Sequence, residues 1–252
     1  MNEKGIIIKS DREIAVMREA GRLLAEVVAV LVEKARPGIT TKELDEIAAK
    51  EIKAHKATPS FLGYKDYPAH ICVSINDEIV HGIPGPRVMK DGDIVSIDAG
   101  LIYKGFQSDH AVTIGLGEIS PEGKRLIDTA KQALIVGISK AKAGGRIGDI
   151  SAAIQGYVEP RGFSVVREYV GHGIGRDLHE DPQIPNYGPA GVGPVLRRGM
   201  AIAIEPMVNM GGWRTRVGSD HWTVFTLDGS LAAHFEHTIA ITDEGTEVLT
   251  TL

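Results

Sequence analysis

Two aspartates near the middle of the chain lie in strongly apolar surroundings, where a carboxylate is costly to bury. Residues 94–114, which contain Asp98 and Asp109, have the pattern of two strands joined by a tight turn. If Tyr103 and Lys104 form the loop, Asp98 lies directly opposite Asp109, and a turn one residue later would shift the pairing by one. Opposed carboxylates repel each other. Divalent cations between them would make the arrangement favourable, so this hairpin is a candidate metal site.

Three further residues are candidate metal ligands. His172 lies between Gly171 and Gly173, and we expect these glycines to leave space around the imidazole for a metal or a substrate. Glu205 follows one apolar run, and Glu236 lies inside another. Neither glutamate has a lysine or arginine within three positions. If either carboxylate is buried, no neighbour in the sequence supplies a counter-charge.

The composition restricts the kind of metal site that the chain can build. Its 252 residues include 33 acidic residues, nine histidines and one cysteine, so an intramolecular disulfide and a cysteine-rich zinc site are both excluded. Oxygen-rich ligation with one imidazole suits Mn²⁺, Fe²⁺, Co²⁺ or Zn²⁺. Two such ions roughly 3.5–4 Å apart could share a water molecule and lower its pKa for hydrolysis. The sequence therefore predicts a dinuclear metallohydrolase with five ligands: Asp98, Asp109, His172, Glu205 and Glu236.

The elements that must position these ligands are helices followed by strands, in two rounds. Ser10 with Glu13, and Thr40 with Glu43, have the spacing of capping boxes, which predicts that a helix begins at each place. Periodicity predicts the remaining elements: helices over 120–143 and 147–158, and strands over 71–115 and after 158.

A weak internal repeat accompanies this order. Residues 35–38 align with residues 141–144 at an offset of 106, and the same offset carries Asp98 to position 204, one residue from Glu205. Two related halves would then each direct an acidic residue towards a shared centre. We expect an α+β fold with one catalytic domain over residues 1–252, built from pseudo-repeats over roughly 10–117 and 118–252.

Charge and hydropathy exclude several other classes of protein. The net charge of −5 argues against a protein that binds nucleic acid or an anionic membrane surface. The longest apolar neighbourhood, residues 23–32, is interrupted by Glu26 and is too short to span a bilayer. The first ten residues do not have the pattern of a signal peptide, so we expect a cytoplasmic protein without membrane contact.

Taken together, these motifs resemble the type I methionine aminopeptidases, which are members of the pita-bread metallopeptidase family. The resemblance extends over nearly the whole chain and is carried by these segments: the helix after Ser10 and residues 74–84, 98–109, 168–176, 204–206 and 235–238. It implies an antiparallel sheet covered by two pairs of helices with pseudo-twofold symmetry. It also implies removal of the initiator methionine, preferentially when the second residue is small, by a water activated at two divalent metal ions.

The resemblance also implies a role for each ligand. Asp98, Asp109 and Glu236 would bind one or both ions, with Asp109 and Glu236 bridging, and His172 and Glu205 would complete the second site. Glu205 would also act as the proton shuttle for the attacking water. The metal pair would be drawn from Co, Mn, Fe and Zn.

Other residues match the substrate contacts of that family. His81 and His179 match two histidines that contact the substrate and help to stabilise the tetrahedral intermediate. Four residues match the methionine pocket: Tyr64, Tyr67, Cys72 and Trp222. Core packing is the alternative role for Cys72 and Tyr64, and the pocket varies within the family at Phe61 and Leu178. The remaining histidines receive no role: His55, His70, His110, His221, His234 and His237.

Three other kinds of protein share this fold and are alternatives to this assignment. Aminopeptidase P and prolidase share the fold and cleave before proline, but they usually carry an additional N-terminal domain. Type II methionine aminopeptidases carry an insertion between the last two ligands, whereas Glu205 and Glu236 are only 31 residues apart here. A binding protein that had lost its metal is disfavoured because all five ligand types are present. We expect a monomer that acts on N-terminal methionyl peptides and nascent chains, with transient ribosome contact.

Overall fold

Four α-helices are found in the computed structural model, which describes residues 5–252. Ser10 and Thr40 are the N-caps of the first two, and both predicted capping boxes, with Glu13 and Glu43, are confirmed. The third helix ends three residues before the predicted position 143, and the fourth has the predicted bounds. The helices are α1 Asp11–Lys34, α2 Thr41–Ala54, α3 Pro121–Lys140 and α4 Ile147–Val158, with single 3-10 turns at Tyr64–Asp66 and Glu159–Arg161.

The strands follow the two pairs of helices in both halves of the chain. They are β1 Thr58–Pro59, β2 Ile71–Ile75, β3 Glu78–Val80, β4 Ile94–Tyr103, β5 Phe106–Gly115, β6 Ser164–Val165, β7 Gly171–Gly173, β8 Glu180–Ile184, β9 Ala201–Ile204, β10 Met207–Asn209, β11 Thr215–Val217, β12 Val224–Thr226, β13 Ala232–His234, β14 Glu236–Thr242 and β15 Gly245–Val248. No helix within residues 5–252 is both long enough and apolar enough to cross a membrane.

A nine-stranded antiparallel sheet forms the centre of the molecule. Its main path is β1-β4-β5-β14-β9-β7-β8, with β2 also paired to β4 and β15 to β14. The order β4-β5-β14-β9 is symmetric about the junction of β5 and β14, because each half contributes two helices and then two paired strands. Two three-stranded sheets, β13-β10-β6 and β11-β12-β3, complete the fold.

The helices cover one face of the large sheet, and the alternation of the strands decides which side chains meet them. Ile97 on β4 and Ile239 on β14 point into apolar clusters formed with α1 and α2 in the first half and with α3 and α4 in the second. Because successive residues of a strand point to opposite faces, Asp98 and Thr238 point away from the helices. The candidate ligands therefore lie on the face that the helices leave open.

The predicted pairing of Asp98 with Asp109 is wrong. The hairpin turns at Lys104 and Gly105, both with positive φ, and not at Tyr103 and Lys104. Two-residue hairpin loops favour such backbone angles because they match the right-handed twist of the strands. Asp98 is therefore opposite Ala111, and Asp109 is opposite Gly100. The residue opposite Asp98 is therefore two positions from the predicted one, and not one position. Because the shift is even, both carboxylates still point to the same face of the sheet.

Two helical glycines allow a matched test of this packing. A Cβ on Gly21 of α1 would lie 2.3 Å from the carbonyl oxygen of Leu249, whereas a Cβ on exposed Gly156 of α4 has nothing within 4 Å. We expect Gly21→Ala to lower the free energy of unfolding by about 1–3 kcal/mol through overpacking. Gly156→Ala should raise it by roughly 0.5–1 kcal/mol through helix propensity alone. Equal effects of the two variants in denaturant titrations would contradict the described contact.

Candidate metal centre

The register of the sheet places four carboxylates close together on its open face. Asp98 is opposite Ala111, and Ala111 is in turn opposite Glu236 on β14. The pairing of β14 with β9, continued by one residue, brings Glu205 beside Glu236. Asp109 lies on the same face as Ala111, two residues away along β5. Residues separated by more than a hundred positions in the chain thus form one row across three hydrogen-bonded junctions.

His172 reaches the same row from the neighbouring strand β7, which pairs with β9. Its Nε2 atom lies 3.5 Å from Oε1 of Glu205 and 3.9 Å from Oδ2 of Asp109. Its Nδ1 donates a hydrogen bond of 2.9 Å to the carbonyl oxygen of Gly173. This bond fixes the tautomer in which Nε2 has its lone pair directed at the carboxylates, as metal-binding histidines require.

The glycines beside His172 have a different purpose from the one expected. A Cβ on Gly171 would lie 2.4 Å from the carbonyl oxygen of Ala203, and a Cβ on Gly173 would lie 2.2 Å from that of Asp181. The missing side chains make room for the backbones of the adjacent strands and not for a metal or substrate. The expectation that these glycines serve to leave space around the imidazole is therefore wrong.

The electrostatics of the row are those of crowded, desolvated acids. Burial raises the pKa of Asp98, Glu205 and Glu236 well above the ordinary range, and repulsion from neighbouring carboxylates adds to this effect. Burial also raises the pKa of Asp109, to about 7. Desolvation lowers the pKa of His172 to about 3, so that its ring is neutral at physiological pH and supplies no counter-charge.

These groups fit divalent cations. Oδ1 of Asp98, Oδ1 of Asp109 and Oε1 of Glu236 are buried without a hydrogen-bond partner among the described residues. Buried polar atoms are ordinarily paired, so unpartnered carboxylate oxygens that face one another indicate positions for a cation. The donor set of several carboxylates with neutral imidazole is the set that Mn²⁺, Fe²⁺, Co²⁺ and Zn²⁺ accept.

His234 belongs to this cluster although the sequence analysis assigned it no role. Its Nε2 lies 3.7 Å from Oε2 of Glu205 and 3.9 Å from Oε2 of Glu236, and neither of its ring nitrogens has a hydrogen-bond partner among the described residues. Within residues 5–252, two groups of side chains could thus hold a metal ion, and both contain Glu236: Asp109, His172 and Glu236, and Glu205, His234 and Glu236. The two-residue spacing of His234 and Glu236, which places them on the same side of an extended chain, was the available signal.

All eleven predicted site residues line a single cavity of about 140 Å³. Phe61 also lines it, whereas Leu178 packs behind it in the same apolar cluster. Lys65, which the sequence analysis did not single out, lines the cavity as well, with its ammonium group 5.3 Å from the centre of the Tyr64 ring. The structure thus brings all of the predicted site residues together, and the role of each residue stays a prediction.

The two predicted substrate histidines occupy the wall beside the metal ligands. Nδ1 of His179 lies 2.8 Å from the hydroxyl of Tyr64, and its ring centre is 4.2 Å from that of His172. The ring of His81 packs edge-on against Trp222 at 6.1 Å. Burial lowers the pKa of both histidines to about 4. Each ring is therefore neutral near pH 7 and can offer one donor and one acceptor to a polar substrate.

The rest of the cavity is apolar and aromatic. Tyr67 packs edge-on against Trp222 at 5.0 Å and against Phe61 at 6.5 Å, and its hydroxyl is within hydrogen-bonding distance of the backbone carbonyl of Ile71. Cys72 is buried beside them, and burial raises the pKa of its thiol, which therefore stays neutral and apolar. Such a wall suits a flexible thioether, which gains from contact with aromatic rings.

Comparison with known proteins gives a consistent result. The model of metallopeptidase family M24 matches residues 15–243. Methionine aminopeptidase 1 of Bacillus subtilis is 55% identical over 245 residues, covering 97% of this chain and 99% of that protein. The crystal structure of methionine aminopeptidase from Thermotoga maritima superposes with a TM-score of 0.96 at 48% identity, covering 98% of this chain and all of that one.

The fold alone is shared more widely. A prolidase from Pyrococcus furiosus superposes with a TM-score of 0.80 at 23% identity, covering 98% of this chain but 66% of that one. These likenesses confirm the α+β pita-bread fold that the sequence predicts, with a curled antiparallel sheet and helices on one side.

The metal centre can be tested by a change of a single charge. Asp109→Asn keeps the shape of the side chain but removes the negative charge, and we expect it to abolish tight binding of the metal pair in calorimetric titrations with Mn²⁺. Loss of an outer-sphere partner alone weakens such sites by about 10-fold to 100-fold, so loss of a ligand charge should exceed this. Asp128→Asn, on the exposed surface of α3, is the matched control. An unchanged metal stoichiometry in Asp109→Asn would contradict the assignment.

Proposed function

Because the chain belongs to metallopeptidase family M24, we infer that it is an aminopeptidase that removes the N-terminal methionine from peptides and nascent proteins. The observation that carries this inference is the cavity itself: an apolar, aromatic pocket that ends at a cluster of four carboxylates and neutral imidazoles. A methionine side chain fits the first part, and peptide hydrolysis requires the second. The second residue of the substrate is preferentially small.

Two divalent ions would be held by Asp98, Asp109, His172, Glu205 and Glu236, with Asp109 and Glu236 shared between them. The unpartnered oxygens of Asp98, Asp109 and Glu236, which repel one another, support this assignment. When bound, the ions polarise the scissile carbonyl and lower the pKa of the attacking water. Co, Mn, Fe and Zn are all compatible with these donors.

The remaining steps fall to the side chains of the protein. Glu205 accepts the proton of the attacking water and passes it to the leaving amine. Its side chain is 14% exposed, whereas those of Asp109 and Glu236 are 7% and 3% exposed, and this greater access to solvent supports the assignment. His81 and His179 bind the polar atoms of the substrate backbone. Since both rings are neutral, they can donate to the oxyanion that develops at the scissile carbonyl without displacing the cations.

The methionine side chain lies among Tyr64, Tyr67, Cys72 and Trp222, with Phe61 at the same wall. The edge-on packing of the rings and the neutral thiol support this placement. The same lining disfavours the two alternatives that share the fold. Prolidase-type cleavage requires recognition of a proline in the second position, which this apolar first-residue pocket does not explain. A metal-free binding protein does not explain the retained cluster of acids.

We propose that the chain forms one catalytic domain of two pseudo-repeats, over about 10–117 and 118–252, and the symmetric strand order within the described residues 5–252 supports this. The substrate also suggests where in the cell the protein acts. New proteins expose their initiator methionine where translation takes place, so we propose a cytoplasmic monomer that contacts ribosomes transiently.

Metal-dependent release of methionine is the first test. We expect the metal-loaded protein to release methionine from Met-Ala-Ser, to lose this activity after exhaustive chelation, and to regain it when Mn²⁺ or Co²⁺ is added back. Xaa-Pro peptides serve as the comparison substrates. Full activity after chelation would exclude the metal mechanism, and a preference for Xaa-Pro over Met-Ala peptides would favour a prolidase.

The pocket is tested by removal of one aromatic wall. Trp222→Ala should raise KM for Met-Ala-Ser by up to about 10-fold, since sulfur–aromatic contacts contribute roughly 0.3–1.5 kcal/mol, and should change kcat much less. Trp213→Ala is the matched control, because Trp213 packs against Arg167 and Arg214 and does not line the cavity. An equal change of KM in both variants would refute the pocket assignment.

A further inference from the structure

A buried ion pair joins the N-terminal segment to the strand that follows His179. Nζ of Lys9 lies 2.6 Å from Oε2 of Glu180, and both side chains are only 3% exposed. The two residues are 171 positions apart in sequence. Most surface ion pairs contribute little to a fold, but a pair that has lost its water holds its geometry firmly, because separation would leave an uncompensated charge.

The second oxygen of Glu180 closes the loop that carries His179. Oε1 accepts hydrogen bonds from the backbone N–H groups of Arg176 at 2.9 Å and of Asp177 at 3.4 Å. One carboxylate therefore binds the lysine with one oxygen and the turn of the β7–β8 loop with the other. This loop joins β7, which carries His172 at the metal centre, to His179 at the substrate wall.

The lysine is itself held on a rigid support. Its backbone N–H donates to the carbonyl oxygen of Gly199 at 2.8 Å, two residues before β9 begins. A Cβ on Gly199 would lie 2.6 Å from the carbonyl oxygen of Lys9, and a Cβ on Gly175 would lie 2.4 Å from Oε1 of Glu180 and 2.6 Å from Cε of Lys9. Glycine at both positions is needed to admit the pair. The contact thus depends on close packing of the N-terminal segment against the turn before β9 and against the β7–β8 loop.

His179 immediately precedes Glu180, so the position of its ring depends on this anchor. The hydroxyl of Tyr64 also contacts Nδ1 of His179, but Tyr64 lies at a 3-10 turn whose neighbouring residues are exposed. We propose that Lys9 and Glu180 are positioning residues for catalysis, which hold the β7–β8 loop so that His179 faces the substrate. The inference rests on the proposed function, in which His179 contacts the substrate.

An apolar replacement separates stability from positioning. Replacing a buried ion pair by apolar residues of similar size is often neutral for stability. The double variant Lys9→Met with Glu180→Leu should therefore fold, but it lacks the acceptor for the loop N–H groups. We expect kcat for Met-Ala-Ser to fall by about 10-fold to 100-fold, as small misplacements of catalytic groups do, with KM changed much less.

Two companion variants keep the test decisive. Lys9→Met combined with Glu180→Gln retains an oxygen that can accept from the loop and leaves no buried ammonium group unpaired, so it should keep more of kcat than Lys9→Met with Glu180→Leu. Arg198→Met removes exposed ion pairs with Asp11 and Asp243 next to the same N-terminal segment, and it should leave kcat unchanged.

A spectroscopic measurement gives a readout independent of turnover. In ¹⁵N-labelled, Zn²⁺-loaded protein, the ring signals of His179 should shift in the double variant Lys9→Met with Glu180→Leu and keep their wild-type positions in Arg198→Met. Wild-type kcat and unshifted His179 signals in the double variant would overturn the proposal. An equal loss in Arg198→Met would overturn it too. If the wild-type protein itself fails to release methionine, the proposed function fails, while the His179 signals still report whether the pair holds the loop.

Discussion

The repulsion among four carboxylates on one face of a buried sheet is the constraint on which the rest of this structure depends. Water would ordinarily screen such charges, but the helices cover one face of the sheet, and the four acids on the other face are themselves largely buried. The acids are consequently desolvated, and the pKa of each is raised. Such an arrangement is tolerated when the surrounding core is large enough to hold it together and when cations can enter. The apolar clusters on the opposite face, formed by both helix pairs, provide that core.

The duplicated architecture explains how acids from distant parts of the chain arrive in one row. The central junction of β5 with β14 brings the two halves together, so that Asp98 in one half and Glu205 in the other lie at the two ends of the row. Hydrogen-bonded register sets their spacing more firmly than side-chain contacts could, because sliding a strand by one residue would turn its whole ligand face towards the helices.

The sequence predicts those parts of the fold that are encoded locally. The capping boxes at Ser10 and Thr40 were predictable because each needs only four residues. The five candidate metal ligands were predictable from acids and a histidine in apolar surroundings, and the resemblance supplied their individual roles and the substrate contacts. The register of the hairpin stayed open between a turn at Tyr103 and Lys104 and a turn one residue later, and the structure has the second turn, with a positive φ at Lys104. The reason for the glycines beside His172, and the contact of Lys9 with Glu180, depend on strands that are brought together only by the complete fold.

The contrast between Glu180 and the acids of the cavity separates two uses of a buried carboxylate. Glu180 has its charge met by Lys9 and its second oxygen met by two backbone N–H groups, so it requires nothing from outside the chain. Glu236 lies at a similar depth but against His234, whose pKa burial lowers to about 3, and one of its oxygens has no hydrogen-bond partner in the described chain. Lys9 thus neutralises the buried carboxylate of Glu180, whereas the buried carboxylate of Glu236 lies beside a neutral imidazole. The unpaired carboxylates mark the candidate site for cations, and the paired carboxylate of Glu180 marks the support that holds this site in shape.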